Sequence, residues 1–302
     1  MINIVLENHH FKWLDVILPT REELQQLAKT YEIHLTSIQD CLQPEHLPKY
    51  EKIGDVNFLI TRGYDEKASE NASNVLELTR KVAIFLGADF LITVHRVDLD
   101  YLAAVRQKWQ VAPPSTSQLP FQVLCDVLQA ISLSYEAPLD AAEGMLDAIE
   151  DKIFMRQFKG VTLRFQEIYL LRRKISVYQR MLHLTLEILA KLNSHAEHTP
   201  LLQNIKDDTH RLLFVAEQLS ENVNHLLNLH LSLTSNRTNE VMRILTLFSV
   251  FFLPITFVVG IYGMNFHYMP ELELSYGYFG VWLLMLAITV ALFIWFKRKG
   301  FL

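Results

Sequence analysis

The stretch "ILTLFSVFFLPITFVVGIYGMN" (residues 244–265) decides the fold, because no charged side chain occurs between Ile244 and Ile261. A second uncharged run extends from Gly277 to Phe296. At a rise of about 1.5 Å per residue, each run forms a helix of roughly 27–30 Å, which matches the thickness of a bilayer core. We therefore predict two transmembrane helices rather than a pair of buried core helices.

Basic residues flank these two runs on one side only. They are Arg237, Arg243, Lys297, Arg298 and Lys299. The connecting loop contains no Lys or Arg but carries Glu271 and Glu273. Because positive flanks stay in the cytoplasm, we expect a multi-pass protein of the plasma (inner) membrane with both termini cytoplasmic. The first ten residues lack the basic segment and apolar core of a signal peptide.

Residues 1–120 have the pattern of an α/β domain, which we expect to be cytoplasmic. β-rich runs such as "INIVLE" (2–7), "VNFLITRGY" (56–64) and "DFLITVH" (89–95) alternate with polar, helix-compatible segments. "APPSTSQLP" (112–120) predicts a linker to the next element. The two cysteines, in a chain of 302 residues, fit neither a disulfide framework nor a zinc pattern.

The middle of the chain should be helical, since no glycine occurs between Gly160 and Gly260. We predict one helix from about 140 or 160 to 193 and a second from about 201 to 262, separated by the turn "SHAEHTP" (194–200). The second helix would comprise a polar stalk and the first membrane run. The predicted fold is an α+β domain (1–120), a helical region with a stalk (121–240) and a two-helix transmembrane hairpin (241–302).

Small, polar and apolar residues alternate at intervals of three and four along the stalk and the first membrane run. They are Asn239, Met242, Thr246, Ser249, Leu253, Thr256 and Gly260. Such a heptad-like stripe suits either a packing face between transmembrane helices or the wet lining of a pore, and spacing alone does not choose between them. Because two uncharged helices cannot enclose a polar path, a pore would require several copies of the chain.

The motif "YGMNF" (262–266), followed by "MPEL" (269–272), resembles the signature of the CorA family of magnesium channels. The likeness is strong from residue 238 to the C-terminal "FKRKGFL", and over the earlier residues it is one of architecture. The resemblance implies a funnel-shaped homopentamer in which Gly263, Met264 and Asn265 form an outer selectivity ring. It also implies a pore lined by Asn239, Met242, Leu245, Ser249, Leu253, Thr256 and Gly260. It thus selects Leu245 where spacing selected Thr246.

The chemistry of this ring suits Mg²⁺, which is reluctant to shed its water. The neutral amide oxygen of Asn265 can accept hydrogen bonds from coordinated waters, whereas carboxylates would hold the ion too tightly for conduction. We expect Gly263 to adopt a backbone conformation closed to other residues. Glu271 and Glu273 would raise the local cation concentration modestly.

We therefore predict a passive divalent cation channel, most simply for Mg²⁺ uptake driven by the membrane potential, and not an enzyme. The expected partners are further copies of the chain, the lipid bilayer and divalent cations, with no nucleic acid and no cofactor besides Mg²⁺ as the transported and candidate regulatory ion. One alternative is a Zn²⁺, Co²⁺ or Ni²⁺ transporter of the same architecture, although Met264 argues against Zn²⁺. The other is a membrane-anchored scaffold or sensor without a pore.

Regulation is where the sequence departs from the family. The resemblance implies Mg²⁺ sites between acidic residues of neighbouring cytoplasmic domains, and Asp40 matches one such position. Asn204 and Asn228 stand where the family pattern has acids. Asp207 and Asp208 are close enough to Asn204 in sequence to substitute for the missing carboxylate. We expect a weakened response to Mg²⁺.

Overall fold

The computed structural model describes most of the chain, in two separate units. Described residues are 2–9, 11–111, 119–159, 165–193, 199–265, 267, 269–270 and 273–300. The units are Met1–Leu227 and Asn228–Leu302, and each is treated by itself. Most of the predicted linker (residues 112–118), the turn histidines His195 and His198, and Glu271 of the acidic loop lie outside the described residues.

The first unit contains a six-stranded mixed sheet with the strand order β1-β2-β6-β5-β4-β3. The strands are β1 (Ile2–Glu7), β2 (Lys12–Ile17), β3 (Lys49–Ile53), β4 (Val56–Tyr64), β5 (Thr79–Leu86) and β6 (Phe90–His95). β2 and β6 run parallel, and the other neighbouring pairs run antiparallel. The apolar runs that predicted strands all form them. β3, "KYEKI", was not predicted, because an edge strand needs little apolar character.

Helices cover both faces of this sheet. On one face α1 (Arg21–Thr30) and α2 (Leu35–Leu42) share a core with Phe85, and on the other α4 (Asp100–Val111) and α5 (Leu119–Leu133) share a core with Ile84. Ile84 and Phe85 are neighbours that point to opposite faces, as strand geometry requires. α1 and α4 lie in the polar, helix-compatible segments between the β-rich runs, as expected, whereas α2 and the short α3 (Val75–Leu78) were not anticipated.

The remaining four helices of the described residues are long, and two of them occupy most of the glycine-free interval between Gly160 and Gly260. They are α6 (Glu136–Lys159), α7 (Phe165–Asn193), α8 (Thr199–Tyr262) and α9 (Gly277–Arg298). Within the first unit, one face of α8 is buried at heptad-like spacing, at Ile205, Thr209, Leu212, Ala216, Leu219, Val223 and Leu226. The N-terminal part of the predicted stalk is therefore held by packing along one side.

A buried charge network joins β2, β6 and α4. Oδ1 of Asp15 accepts a hydrogen bond from Thr93 Oγ1 at 2.5 Å and lies 2.9 Å from His95 Nε2. Oδ2 accepts from Arg106, which also donates to Asp98 at 2.6 Å. Burial raises the pKa of Asp15, but the hydrogen bonds from His95, Thr93 and Arg106 outweigh it, so the pKa is lowered overall. The folded state thus favours the carboxylate.

Replacing Asp15 should destabilise the protein in a pH-dependent way. A carboxyl group with a lowered folded-state pKa contributes fully above its unfolded pKa of 3.8, and this contribution is lost as pH falls through the folded pKa. We expect Asp15→Asn to lower the unfolding free energy by about 3–5 kcal/mol at neutral pH, with the difference narrowing below about pH 4. Thermal unfolding of the full-length protein in detergent measures this.

Asp98→Asn is the matched control, since this carboxylate of the same network is 61% exposed and should contribute below about 1 kcal/mol. A loss of stability at Asp15→Asn that stayed constant from neutral to acid pH would contradict the assigned charge state.

Candidate functional site

The Gly-Met-Asn triplet follows directly on the end of α8. α8 ends at Tyr262, and the backbone N–H of Gly263 still donates to the carbonyl of Val259 at 2.9 Å. The N–H of Met264 donates to Ile261 at 3.2 Å, which tightens the last turn. Asn265 comes next and is exposed. The side chain that the resemblance assigns to selectivity therefore lies exposed just beyond the end of a long helix.

The expected backbone role of Gly263 is wrong. Its φ does not lie in the left-handed range, unlike that of Gly54 or Gly300. A Cβ at position 263 would lie 3.1 Å from the carbonyl oxygen of Val259, a tight contact that a shift of a few tenths of an ångström would relieve.

The seven residues implied to line the pore are all exposed on α8. They are Asn239, Met242, Leu245, Ser249, Leu253, Thr256 and Gly260. Leu245 is 58% exposed and Leu253 is 69% exposed. Large apolar side chains on a continuous face call for lipid or another protein surface. This face is therefore available for contact with further copies of the chain.

An open groove runs along this face. It is lined by Leu245, Thr246, Ser249, Val250, Leu253 and Pro254. Leu245 and Thr246 thus border the same groove. The hydroxyl groups of Thr246 and Ser249 donate to backbone carbonyls one turn earlier, at 2.7 and 2.9 Å. Their oxygen lone pairs remain free to accept hydrogen bonds from water or from a hydrated cation.

The second unit exposes far more apolar surface than a water-soluble domain does. The most apolar segments of α8 and α9 have mean hydropathies of 2.5 and 2.4, with only 0% and 6% of their residues buried. The two helices meet at Phe251 and Phe296, whose ring centroids lie 6.0 Å apart. Both helices are long and apolar enough to cross a membrane, and their exposed surface suits contact with lipid.

The candidate regulatory carboxylate Asp40 is already paired with a cation of its own chain. Lys49 Nζ donates to its Oδ2 at 2.7 Å, and His46 Nε2 lies 3.0 Å from its Oδ1. Lys49 also donates to Glu51 at 2.9 Å. Burial lowers the pKa of Lys49, but the hydrogen bonds to Asp40 and Glu51 raise it above its usual value. Lys49 therefore stays charged beside Asp40.

The other candidate acids lie elsewhere in the first unit. Asp207 accepts from Gln203 at 2.7 Å, and Asp208 accepts from Gln129 at 3.1 Å. Among the described residues, no group of three or more His, Cys, Asp or Glu side chains is arranged to hold a metal. Glu273 of the acidic loop is exposed.

Two buried or half-buried cations, which the sequence pattern did not indicate, hold the backbone of the segment that carries Asp40. Lys81 Nζ donates to the carbonyls of Asp40 at 2.6 Å and Cys41 at 2.9 Å, and also to Gln43. Arg62 donates to the carbonyls of residues 44 and 46 at 2.8 and 3.1 Å. Burial lowers the pKa of Lys81 to about 8. Charged residues inside the apolar strands β4 and β5 could have indicated these contacts from the sequence.

Known proteins resemble this chain over almost its whole length. A family model described as "CorA-like Mg2+ transporter protein" matches residues 8–298. YfjQ of Bacillus subtilis (strain 168), assigned provisionally to metal ion transport, is 28% identical over 294 residues, covering 95% of this chain and 89% of the relative. The cobalt/magnesium transport protein CorA of Thermotoga maritima is 26% identical over 300 residues, covering 96% and 83%.

A solved structure shows the same fold. The complete structure of the CorA magnesium transporter from Methanocaldococcus jannaschii matches with a TM-score of 0.77 at 23% identity, covering 98% of this chain and 93% of that one. The α/β domain, the long helix and the two C-terminal apolar helices all have counterparts there. The family consists of membrane transporters and not of enzymes. This chain belongs to the CorA-like Mg²⁺ transporter family and is a divalent cation transporter with two transmembrane helices.

Proposed function

We propose that this protein is a passive channel that admits Mg²⁺ to the cell. The observation that carries the proposal is the position of Asn265, exposed directly beyond the end of the helix that bears the Leu245–Gly260 face. The driving force would be the membrane potential, since a divalent ion falling through 100 mV gains about 4.6 kcal/mol. No ATP-binding motif is needed for uptake.

Selection would rest on neutral oxygens around a shared axis. A ring of Asn265 amides can accept hydrogen bonds from the waters of a hydrated ion, so the ion is recognised before it is dehydrated. One amide cannot surround an ion, which is why the proposal requires a homo-oligomer. The family resemblance gives a pentamer, and the exposed apolar face of α8 supplies a surface for assembly.

The proposed arrangement places both termini in the cytoplasm and the protein in the plasma (inner) membrane. Its support is the charge distribution, with Lys297, Arg298 and Lys299 after α9 and Glu273 in the loop at the other end. Residues 1–120 would form the cytoplasmic α/β domain, 121–240 the helical region with the stalk, and 241–302 the hairpin that carries the pore motif.

Co²⁺ is a second candidate cargo, because the Thermotoga maritima relative is named for cobalt and magnesium. Zn²⁺ is disfavoured by Met264 in the middle of the triplet, and the fold itself does not distinguish among these ions. A scaffold without a pore would leave the alternation of polar and small residues along α8 without a role.

The first test concerns Asn265. Asn265→Ala should reduce Mg²⁺ flux into liposomes at least about tenfold, equivalent to about 1.4 kcal/mol in the barrier, because the amides that recognise the hydrated ion are lost. Assembly in detergent should be unchanged, because only the outer amide is removed. Asn222→Ala is the control, since Asn222 is exposed on α8 but lies off the pore face. Mg²⁺ flux through Asn265→Ala at the wild-type rate would rule out the amide ring as the filter.

The second test concerns the apolar constriction. Leu245 and Leu253 would close the pore by excluding water. Leu253→Ser should therefore raise basal conductance in planar bilayers at least about tenfold, and Leu245→Ser should act in the same direction. Leu247→Ser makes the same chemical change on α8 outside the pore face and should leave conductance unaltered. If both pore-face variants conduct like the wild type, these leucines face lipid or a neighbouring helix.

The third test concerns regulation by Mg²⁺. Asn204 and Asn228 provide no carboxylate, and Asp40 is paired with Lys49 in the same chain. We expect millimolar Mg²⁺ to shift the thermal unfolding midpoint of the full-length protein in detergent by less than about 2 °C, since a weakly occupied site stabilises little. Asn204→Asp should enlarge this shift if Asp40 faces it across a subunit boundary.

The outcome that would overturn this regulatory hypothesis is a large Mg²⁺-induced stabilisation of the wild type that disappears in Asp40→Ala. That result would give the protein the sensing scheme that the family resemblance implies.

A further inference from the structure

A concentration of unpaired positive charge lies at one end of the transmembrane hairpin. We name it the basic belt, and it consists of Arg237, Arg243, Lys297, Arg298 and Lys299. All five side chains are exposed. Among the described residues, none of the five belt side chains forms a salt bridge or a side-chain hydrogen bond.

The hairpin geometry brings the two parts of the belt to the same end. Residues 263–276 connect α8 to α9, and the helices meet again at Phe251 and Phe296. Residues that follow Phe296 and residues that precede Phe251 therefore lie at the end of the hairpin away from this loop. Lys297 comes directly after Phe296, and Arg243 lies about 12 Å before Phe251 along α8.

The belt holds five cations against one carboxylate, Glu240, which lies on α8 between its two arginines. The indole of Trp295, 53% exposed, is adjacent to the belt on α9. An amphipathic ring beside unpaired cations, at the end of an apolar helix, is the arrangement found at the bilayer–water interface. Each lysine or arginine at this position raises the affinity for an anionic membrane surface roughly fivefold.

We propose that the basic belt binds the headgroups of anionic phospholipids, with phosphodiester oxygens accepting hydrogen bonds from Lys297, Arg298, Lys299 and Arg243. The unpaired donors fit a layer of phosphates, and the adjacent apolar helices keep those phosphates within reach. This lipid site is separate from ion transport. It rests on the proposed function in one respect, the orientation that places the belt at the cytoplasmic leaflet.

The test measures lipid contact at Trp295 in the full-length protein, without measuring ion flux. Trp282→Phe leaves Trp295 as the one tryptophan of the hairpin, while Trp13 and Trp109 are buried in the first unit. The variant is placed in vesicles that contain brominated phosphatidylglycerol or brominated phosphatidylcholine, and quenching of Trp295 reports which lipid is enriched. We expect the anionic lipid to be preferred by about tenfold, and less at high salt.

Charge removal and a matched control decide the outcome. Lys297→Gln, Arg298→Gln and Lys299→Gln together should abolish the preference, whereas Lys297→Arg with Lys299→Arg should keep it. The control triple Lys29→Gln, Lys52→Gln and Arg172→Gln removes equal charge from exposed positions of the first unit and should leave the preference unchanged.

Three results would overturn the proposal. The first is equal quenching of Trp295 by both lipids in the parent protein, and the second is a preference that survives in the Gln triple of the belt. The third is loss of the preference when inorganic phosphate replaces chloride at the same ionic strength, because the belt would then be a site for free phosphate. None of these results affects the Mg²⁺ flux experiments on Asn265 and Leu253.

Discussion

The rest of this structure depends on one constraint, the removal of the apolar surface of α8 and α9 from water. Two helices that meet mainly at Phe251 and Phe296 bury almost none of that surface in one another. Lipid can cover the lipid-facing sides, but the face that carries Asn239, Ser249 and Thr256 also presents hydroxyl and amide oxygens, to which lipid tails can donate no hydrogen bond. In the proposed homo-oligomer, self-association around that face would meet both demands and would place the Gly-Met-Asn turn at the mouth of the shared path.

The first unit uses charge differently from the second. Asp15 is almost fully buried and meets His95, Thr93 and Arg106, so its charge is compensated at the centre of the sheet. Arg62 and Lys81 instead donate to backbone carbonyls of residues 40–46. Cations that fill carbonyl acceptors fix a segment in place without needing a carboxylate partner. Asp40 is therefore held on a rigid support and is neutralised locally by Lys49.

This arrangement distinguishes the regulatory surface from the transport path. Along α8 the relevant oxygens belong to neutral amides and hydroxyl groups, which can exchange with the waters of a passing ion. Around Asp40 one carboxylate oxygen accepts a hydrogen bond from the ammonium group of Lys49, whose charge opposes the approach of a divalent cation. Asn204 and Asn228 supply no carboxylate there either. These features support the proposal of a conduction path with a weak response to Mg²⁺.

The sequence by itself determined the hairpin, the long helix, the main strands and the Gly-Met-Asn turn, because each depends on local signals: uncharged runs, the scarcity of Gly and Pro, and alternation. It did not determine β3, α2 or the role of Gly263. β3 is stabilised by pairing with β4, and the φ of Gly263 lies outside the left-handed range that the sequence had suggested. Only the tertiary structure showed that Arg106 donates to Asp15, that Lys81 donates to the carbonyls of residues 40–43, and that Lys49 donates to Asp40. Those contacts join residues from different elements. The sequence pattern within one element does not specify which other elements pack against it.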